Sequence, residues 1–382
     1  MSLKQQPSPQ PGIHLVSVAG YAAEREKAVL RLLGRLGVAR LTDVWQLVLL
    51  GLARRTVQDL LQRLVQRGMI WTVPGPSAPT VRADGRLGPP RPVRVFGLTP
   101  AGHALIDRLG LEPDGHQKDW LIARERRGSS EGGRSKGKGK RSGRAADPAD
   151  LDLPQELLTA TWCASILDHA RRTPQCVGMQ CYTQVVTARD GTTPLQTLNA
   201  YVLLAFDPQQ HTLERNPWEL PWLDDAPAAH LRIVRLALLT DIGTMALPTL
   251  IRELRVFPWL AAQGGYRALF GDVPRPVVLT VPGDRAGQVF LACRDSLTVD
   301  EAPPEQRVRL EAATRSTLGQ LVVASTDKAE HPVHGALWGG YTQMNGQRTH
   351  LLAGVFPGLE QWVMQVAGWR PEVRADRQIG PR

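Results

Sequence analysis

The side chains best suited to chemistry are arginines and glutamines gathered in one short stretch, residues 53–67. Arg55, Gln58, Gln62 and Arg63 recur at a spacing that lines one outer face of a helix, with Asp59 and Gln66 beside them. Forked donors of this kind bond base edges in the major groove of duplex DNA, and arginine also pairs with phosphate. The opposite face carries Val57, Leu60, Leu61, Leu64 and Val65, a continuous apolar stripe for burial. A helix with a polar outer face is by itself most often a solvated surface helix, so the surroundings decide. Gly68 stops this one, residues 69–73 read as a strand, and a loop rich in Pro, Gly and Arg spans 74–92. Residues 93–98 then return as a second strand, making the loop the tip of a hairpin. Arg54, Arg82, Arg86, Arg91 and Arg94 are expected to lie along phosphates.

The elements that must position this helix can be read on either side of it. A first helix over 22–36 places Val29, Leu32, Leu33 and Leu36 on one face and ends at Gly37. Residues 38–41 form a short strand, and Thr42 or Asp43 caps a second helix with Val44, Trp45, Val48 and Leu49 inward. After the hairpin, Thr99 is an N-cap and Pro100 the first residue of a last helix. Helix, strand, helix, polar-faced helix, strand, loop and strand is the order of a winged helix-turn-helix, here expected over 21–120.

Charge points the same way. The chain has 382 residues and a net charge of +10. Residues 1–150 carry 25 Lys and Arg against 13 Asp and Glu, whereas residues 151–382 carry 21 against 23. The basic excess therefore sits with the polar-faced helix, which implies a polyanionic partner. Residues 1–20 are expected to be disordered, and 121–150, rich in Gly, Ser, Lys and Arg, to be a basic flexible linker. No apolar run near the start suggests a signal peptide, and no stretch is long and apolar enough to span a membrane. A cytoplasmic, nucleoid- or plasmid-associated location is expected. Four cysteines are few for a disulfide scaffold, and Cys176 and Cys181, five apart in a strand, are expected on opposite faces.

From residue 151 the pattern becomes α/β. An amphipathic helix over 154–172 precedes strand-like runs at 177–186, 195–206 and 233–240, a helix at 245–257 and a buried strand at 276–281. This α-β-β-β-α-β order is the core of a restriction-endonuclease-like fold, expected over 151–355 with a tail at 356–382. A helix at 305–318 and a strand at 320–325 follow. The fold class is thus α/β (α+β overall). The insert around Trp218 and Trp222 reads either as a docking epitope or as cover for a core edge. Asp224, Asp225 and His230 are too loosely arranged to imply a metal, and no cofactor motif is present.

Arg54-Arg55, Leu98-Thr99-Pro100-Ala101-Gly102 and Asp241-Ile242-Gly243-Thr244 together resemble the bacterial replication-relaxation family, which joins a winged helix to a nuclease-like domain. The resemblance implies a role with plasmids or other mobile elements. It also implies Pro-Asp-Ala on the middle strand and Glu-x-Asp-Arg-Gly-Thr at the end of the third. This chain instead has Leu198-Asn199-Ala200 and Leu239-Thr240-Asp241-Ile242-Gly243-Thr244. Metal-assisted phosphodiester cleavage needs clustered carboxylates to hold magnesium. Asn199 and Leu239 supply none and Asp241 is left alone, so the site is expected to be degenerate, without metal or catalytic residues. The expected function is sequence-specific binding of double-stranded DNA in replication or transcription control. The second domain would serve a homodimer or a protein partner. A nickase using carboxylates such as Asp207 and Asp241, and an adaptor recruiting a protein to DNA, are the alternatives.

Overall fold

Val29, Leu32, Leu33 and Leu36 share one face of a helix and are fully buried, which fixes how the first element lies on the rest. In the computed structural model the described residues are 18–81, 87–111, 152–190, 193–210, 220–223, 227–243, 245–280, 284–296, 304–325, 341–343 and 347–352. Arg82, Arg86, the 121–150 stretch, Trp218, Asp224, Asp225, Thr244 and the 356–382 tail lie outside them. So do the side chains of Arg91 and Cys293.

The first part runs α1 (Val18–Leu36), β1 (Val38–Arg40), α2 (Leu41–Val48), α3 (Arg54–Gln66), β2 (Ile70–Val81), β3 (Leu87–Leu98) and α4 (Pro100–Arg108). α1 starts earlier than apolar periodicity alone indicates, within the stretch expected to be disordered. The strands form an antiparallel sheet in the order β1-β3-β2, with Val38 opposite Gly97 and Ile70 opposite Leu98. Thr99 caps α4 as expected: its hydroxyl accepts the Gly102 N–H at 3.1 Å and Pro100 sits in the first turn. The cap of α2 differs from expectation. Arg40 holds the N-cap position, and Asp43, at the third helical position, reaches back to accept the Arg40 N–H at 2.9 Å. An acid three residues into a helix can satisfy a free N–H as well as a capping side chain can.

The second part starts with α5 (Leu153–Arg172) and continues β4 (Cys176–Asp190), β5 (Thr193–Phe206) and β6 (Arg232–Asp241). Next come α6 (Leu247–Ala262), α7 (Gly265–Phe270), β7 (Arg275–Thr280), α8 (Arg285–Ser296) and α9 (Pro304–Thr317). β8 (Val322–Ser325), β9 (Tyr341–Gln343) and β10 (Arg348–Thr349) complete it. The seven strands lie in the order β10-β9-β8-β7-β6-β5-β4. β4, β5 and β6 form an antiparallel meander, and β7 and β8 extend it in parallel from β6. Parallel pairing requires crossovers, which the intervening helices supply. One face of the sheet buries Val202, Leu204, Leu236, Leu238 and Leu279 with Trp162 and Ile166 of α5. The other buries Tyr201, Leu203, Leu239 and Val278 with Leu250, Leu254 and Phe257 of α6. The protein is a mixed α/β chain.

Several boundaries depart from the sequence expectation. α6 continues beyond the expected end at Phe257 and passes through Pro258, a buried residue. Packing of Leu254, Phe257 and Leu260 into the core outweighs the one backbone hydrogen bond that proline removes. Cys176 and Cys181 belong to the same core cluster rather than opposite faces, because a bulge between Cys176 and Gly178 shifts the alternation. Both are free thiols, as is Cys163, whose pKa is raised well above its usual value by burial and by Cys181 beside it.

The two sheets are not joined by the 121–150 stretch alone. Arg171 of α5 is 1% exposed and donates to Leu47 O at 3.1 Å and to Gln46 O, the free carbonyls at the end of α2. Thr183 of β4 donates to Leu36 O at the end of α1 at 3.2 Å. Arg35 lies 4.6 Å above the Trp222 ring and 5.2 Å above that of Tyr182, whose hydroxyl accepts from it at 3.3 Å. Trp222 therefore covers a core edge, with the segment 220–223 bonded to β4 through Met179.

Candidate nucleic-acid interface

α3 is amphipathic because its apolar residues recur at helical spacing, and the rest of the first part fixes its direction. Val57, Leu60, Leu61 and Leu64 are buried. The Trp45 indole N–H donates to Leu52 O at 3.0 Å and pins the turn between α2 and α3. At the other end Gly68 adopts a left-handed backbone (φ 69°), while Met69 N–H donates to Leu64 O and Gly68 N–H to Val65 O. These two bonds close the helix and start β2 at once. α4 is wedged against this turn: a Cβ on Gly102 would come within 2.2 Å of Met69 O. A Cβ on Gly97 would fall 2.2 Å from the Trp71 indole, so glycine there lets the ring lie across β3.

On the outer side of α3, Arg54, Arg55, Gln58, Asp59, Gln62, Arg63 and Gln66 are all exposed. Among the described residues Arg54, Arg55, Gln58, Gln62 and Arg63 have no side-chain hydrogen bond or ion pair. Arg67, at the end of the same helix, pairs instead with Glu26 of α1 at 2.6 Å. Arg94 is exposed on β3, in the hairpin that adjoins α3, and Arg91 lies on the same strand. The structure thus brings Arg54, Arg55, Gln58, Gln62 and Arg63 onto one face and sets Arg94 on the neighbouring hairpin.

At the expected metal positions each group already has a structural task. Pairing of β5 with β6 ends at Ala200 opposite Leu238, where the strands part. The Asn199 side-chain carbonyl fills the gap by accepting the Thr240 N–H at 2.8 Å. Leu239 is buried in the core beneath α6. Asp241 accepts from Arg285 Nε at 2.6 Å and from Gly243 N–H at 2.9 Å, and Arg285 also donates to Met245 O. It does not cap α6, whose N-cap is Ala246. An amide, an alkyl group and one carboxylate already neutralised by arginine do not fit a divalent cation, which prefers several oxygen ligands. Asp207 accepts the Gln209 N–H at 2.9 Å in a turn and stands apart from this cluster in the sequence and the sheet.

One local feature carries no sequence signal. Gln184 is the only described non-glycine residue with a positive φ (58°), and its amide donates to the buried carboxylate of Glu156. Gln155 donates to Thr240 O at 2.9 Å, and Thr159 shares a hydrogen bond with the Thr240 hydroxyl. The first turns of α5 are thereby locked onto the parting of β5 and β6. No alternation or spacing reveals this, since it depends on a single left-handed residue inside a strand. Comparison with protein-family models, with curated proteins and with solved structures finds no match to this chain.

Proposed function

We propose that the first part is a winged helix that binds double-stranded DNA sequence-specifically, with α3 in the major groove. Arg55, Gln58, Gln62 and Arg63 read bases; Arg54, Arg82, Arg86, Arg91 and Arg94 hold phosphates. The observation that carries this reading is the outer face of α3. Three arginines and two glutamines project there without partners among the described residues, while the inner face is fully committed to the core. Arg67, at the end of the same helix, is by contrast paired with Glu26. The second part has a meander of β4, β5 and β6 extended in parallel by β7 and β8, which supports reading it as a restriction-endonuclease-like core; the positions where that reading expects metal ligands hold Asn199, Leu239 and the Asp241–Arg285 pair. The reading that follows is a DNA-binding regulator of replication or transcription on a plasmid-like element. Its nuclease-like domain serves a homodimer or protein contact rather than cleavage.

Site selection from random duplexes, followed by affinity measurement, tests this. Arg55→Ala and Arg63→Ala should each weaken binding to the preferred duplex by about 1–3 kcal/mol and relax the base preference. Unchanged preference in both variants would contradict base reading by α3.

A further inference from the structure

We propose that the outer face of α6 is a second nucleic-acid contact, and that it takes a single strand. The residues involved are remote from α3, so this second contact stands or falls independently of the reading above. α6 turns Leu250, Ile251, Leu254 and Phe257 toward the sheet, on the face opposite α5. Its outer side carries Arg252, Arg255 and Trp259, all exposed, at i, i+3 and i+7. With a rise of about 1.5 Å per residue these three side chains form one line about 10 Å long.

The composition of that line is what points to a ligand. Trp259 is 40% exposed, one of few large apolar side chains left in water among the described residues. Arg252 and Arg255 have no hydrogen bond or ion pair among the described residues. α9 packs beside α6 and adds the exposed Arg309. Among the described side chains of α6 and α9, Glu311 pairs with Arg315, and Glu253 sits on the flank of α6, half-buried. Arginines alternating with an exposed ring match a strand whose phosphates meet cations while a base stacks on the aromatic face. In duplex DNA the base faces are covered by their neighbours, so an indole gains this contact only from an unpaired strand. An acidic peptide would satisfy the arginines but leave the indole without a use.

The test is fluorescence anisotropy of a labelled oligothymidine about 20 nucleotides long with the full chain, a length ample for one such site. Trp259→Ala, and Arg252→Ala with Arg255→Ala together, should each weaken binding at least about fivefold, and Trp259→Phe should restore most of the affinity. The arginine pair should also flatten the salt dependence, by about 0.7 in logarithmic slope for each phosphate no longer neutralised. Arg55→Ala with Arg63→Ala should leave oligothymidine binding unchanged, and the α6 variants should leave duplex binding unchanged. Unfolding midpoints equal to wild type would show that these exposed substitutions act on the surface alone. The proposal is overturned by absence of oligothymidine binding, or by α6 variants within about twofold of wild type. Equal losses with duplex and single strand, or displacement of the oligonucleotide by polyglutamate as readily as by unlabelled oligothymidine, would overturn it too.

Discussion

Replacing Arg171 with methionine should lower the stability of the chain by about 2–4 kcal/mol, because two helix-end carbonyls lose their buried donor while Asp168 keeps only its pair with the exposed Arg172. The guanidinium is 1% exposed and bonds to two elements at once. It donates to Leu47 O and Gln46 O at the end of α2, and to Asp168 on its own helix. Burial lowers its pKa from the ordinary arginine value while Asp168 opposes the shift. Methionine would fill much of the space and leave two helix-terminal carbonyls without donors, each costly to bury. Lysine should rescue little, because one ammonium cannot reproduce a planar fork shared by two carbonyls and a carboxylate. Calorimetry should show a transition lowered by about 5 °C. A shift of less than about 2 °C would mean that this junction adds little to stability.

Asp241→Ala should be the second large effect, and it separates a structural aspartate from a catalytic one. Asp241 is fully buried against Arg285, which is itself largely enclosed. Removing the carboxylate strands the guanidinium and should cost about 3 kcal/mol. Arg285→Met added to Asp241→Ala should recover part of that loss, because no uncompensated charge then remains. Magnesium or manganese should leave the wild-type unfolding midpoint unmoved, and supercoiled plasmid should stay intact in either ion. Metal-dependent nicking that vanishes in Asp241→Ala, or a midpoint raised by magnesium, would promote this residue to a metal ligand.

The parts of this architecture legible from sequence are those written as long periodic patterns. The α3 stripe from Val57 to Leu64, the buried face of α1 and the Thr99-Pro100 start of α4 need only helical spacing and cap chemistry. The meander of three strands with β7 added in parallel also follows from the alternation of elements. What escapes is set by interactions between distant residues or by single backbone irregularities. Arg35, Arg171, Tyr182 and Trp222 join the two parts, yet each looks ordinary in its own segment. A bulge reverses the expected facing of Cys176, and Gln184 holds Glu156 only because one residue inside β4 turns left-handed. Asn199 and Asp241 stand where the family resemblance implies metal ligands, but their tasks, bonding Thr240 and Arg285, require the fold.

The central claim, that α3 faces DNA, is tested most directly by crosslinking. A photoreactive phenylalanine in place of Gln62, exposed at the middle of the polar face, should crosslink to the selected duplex. The same residue in place of Gln209, exposed in the turn after β5, should not. Crosslinking from Gln62 that is competed away by unlabelled selected duplex, and poorly by random duplex, is the expected result. Efficient crosslinking from Gln209 with none from Gln62 would contradict the account.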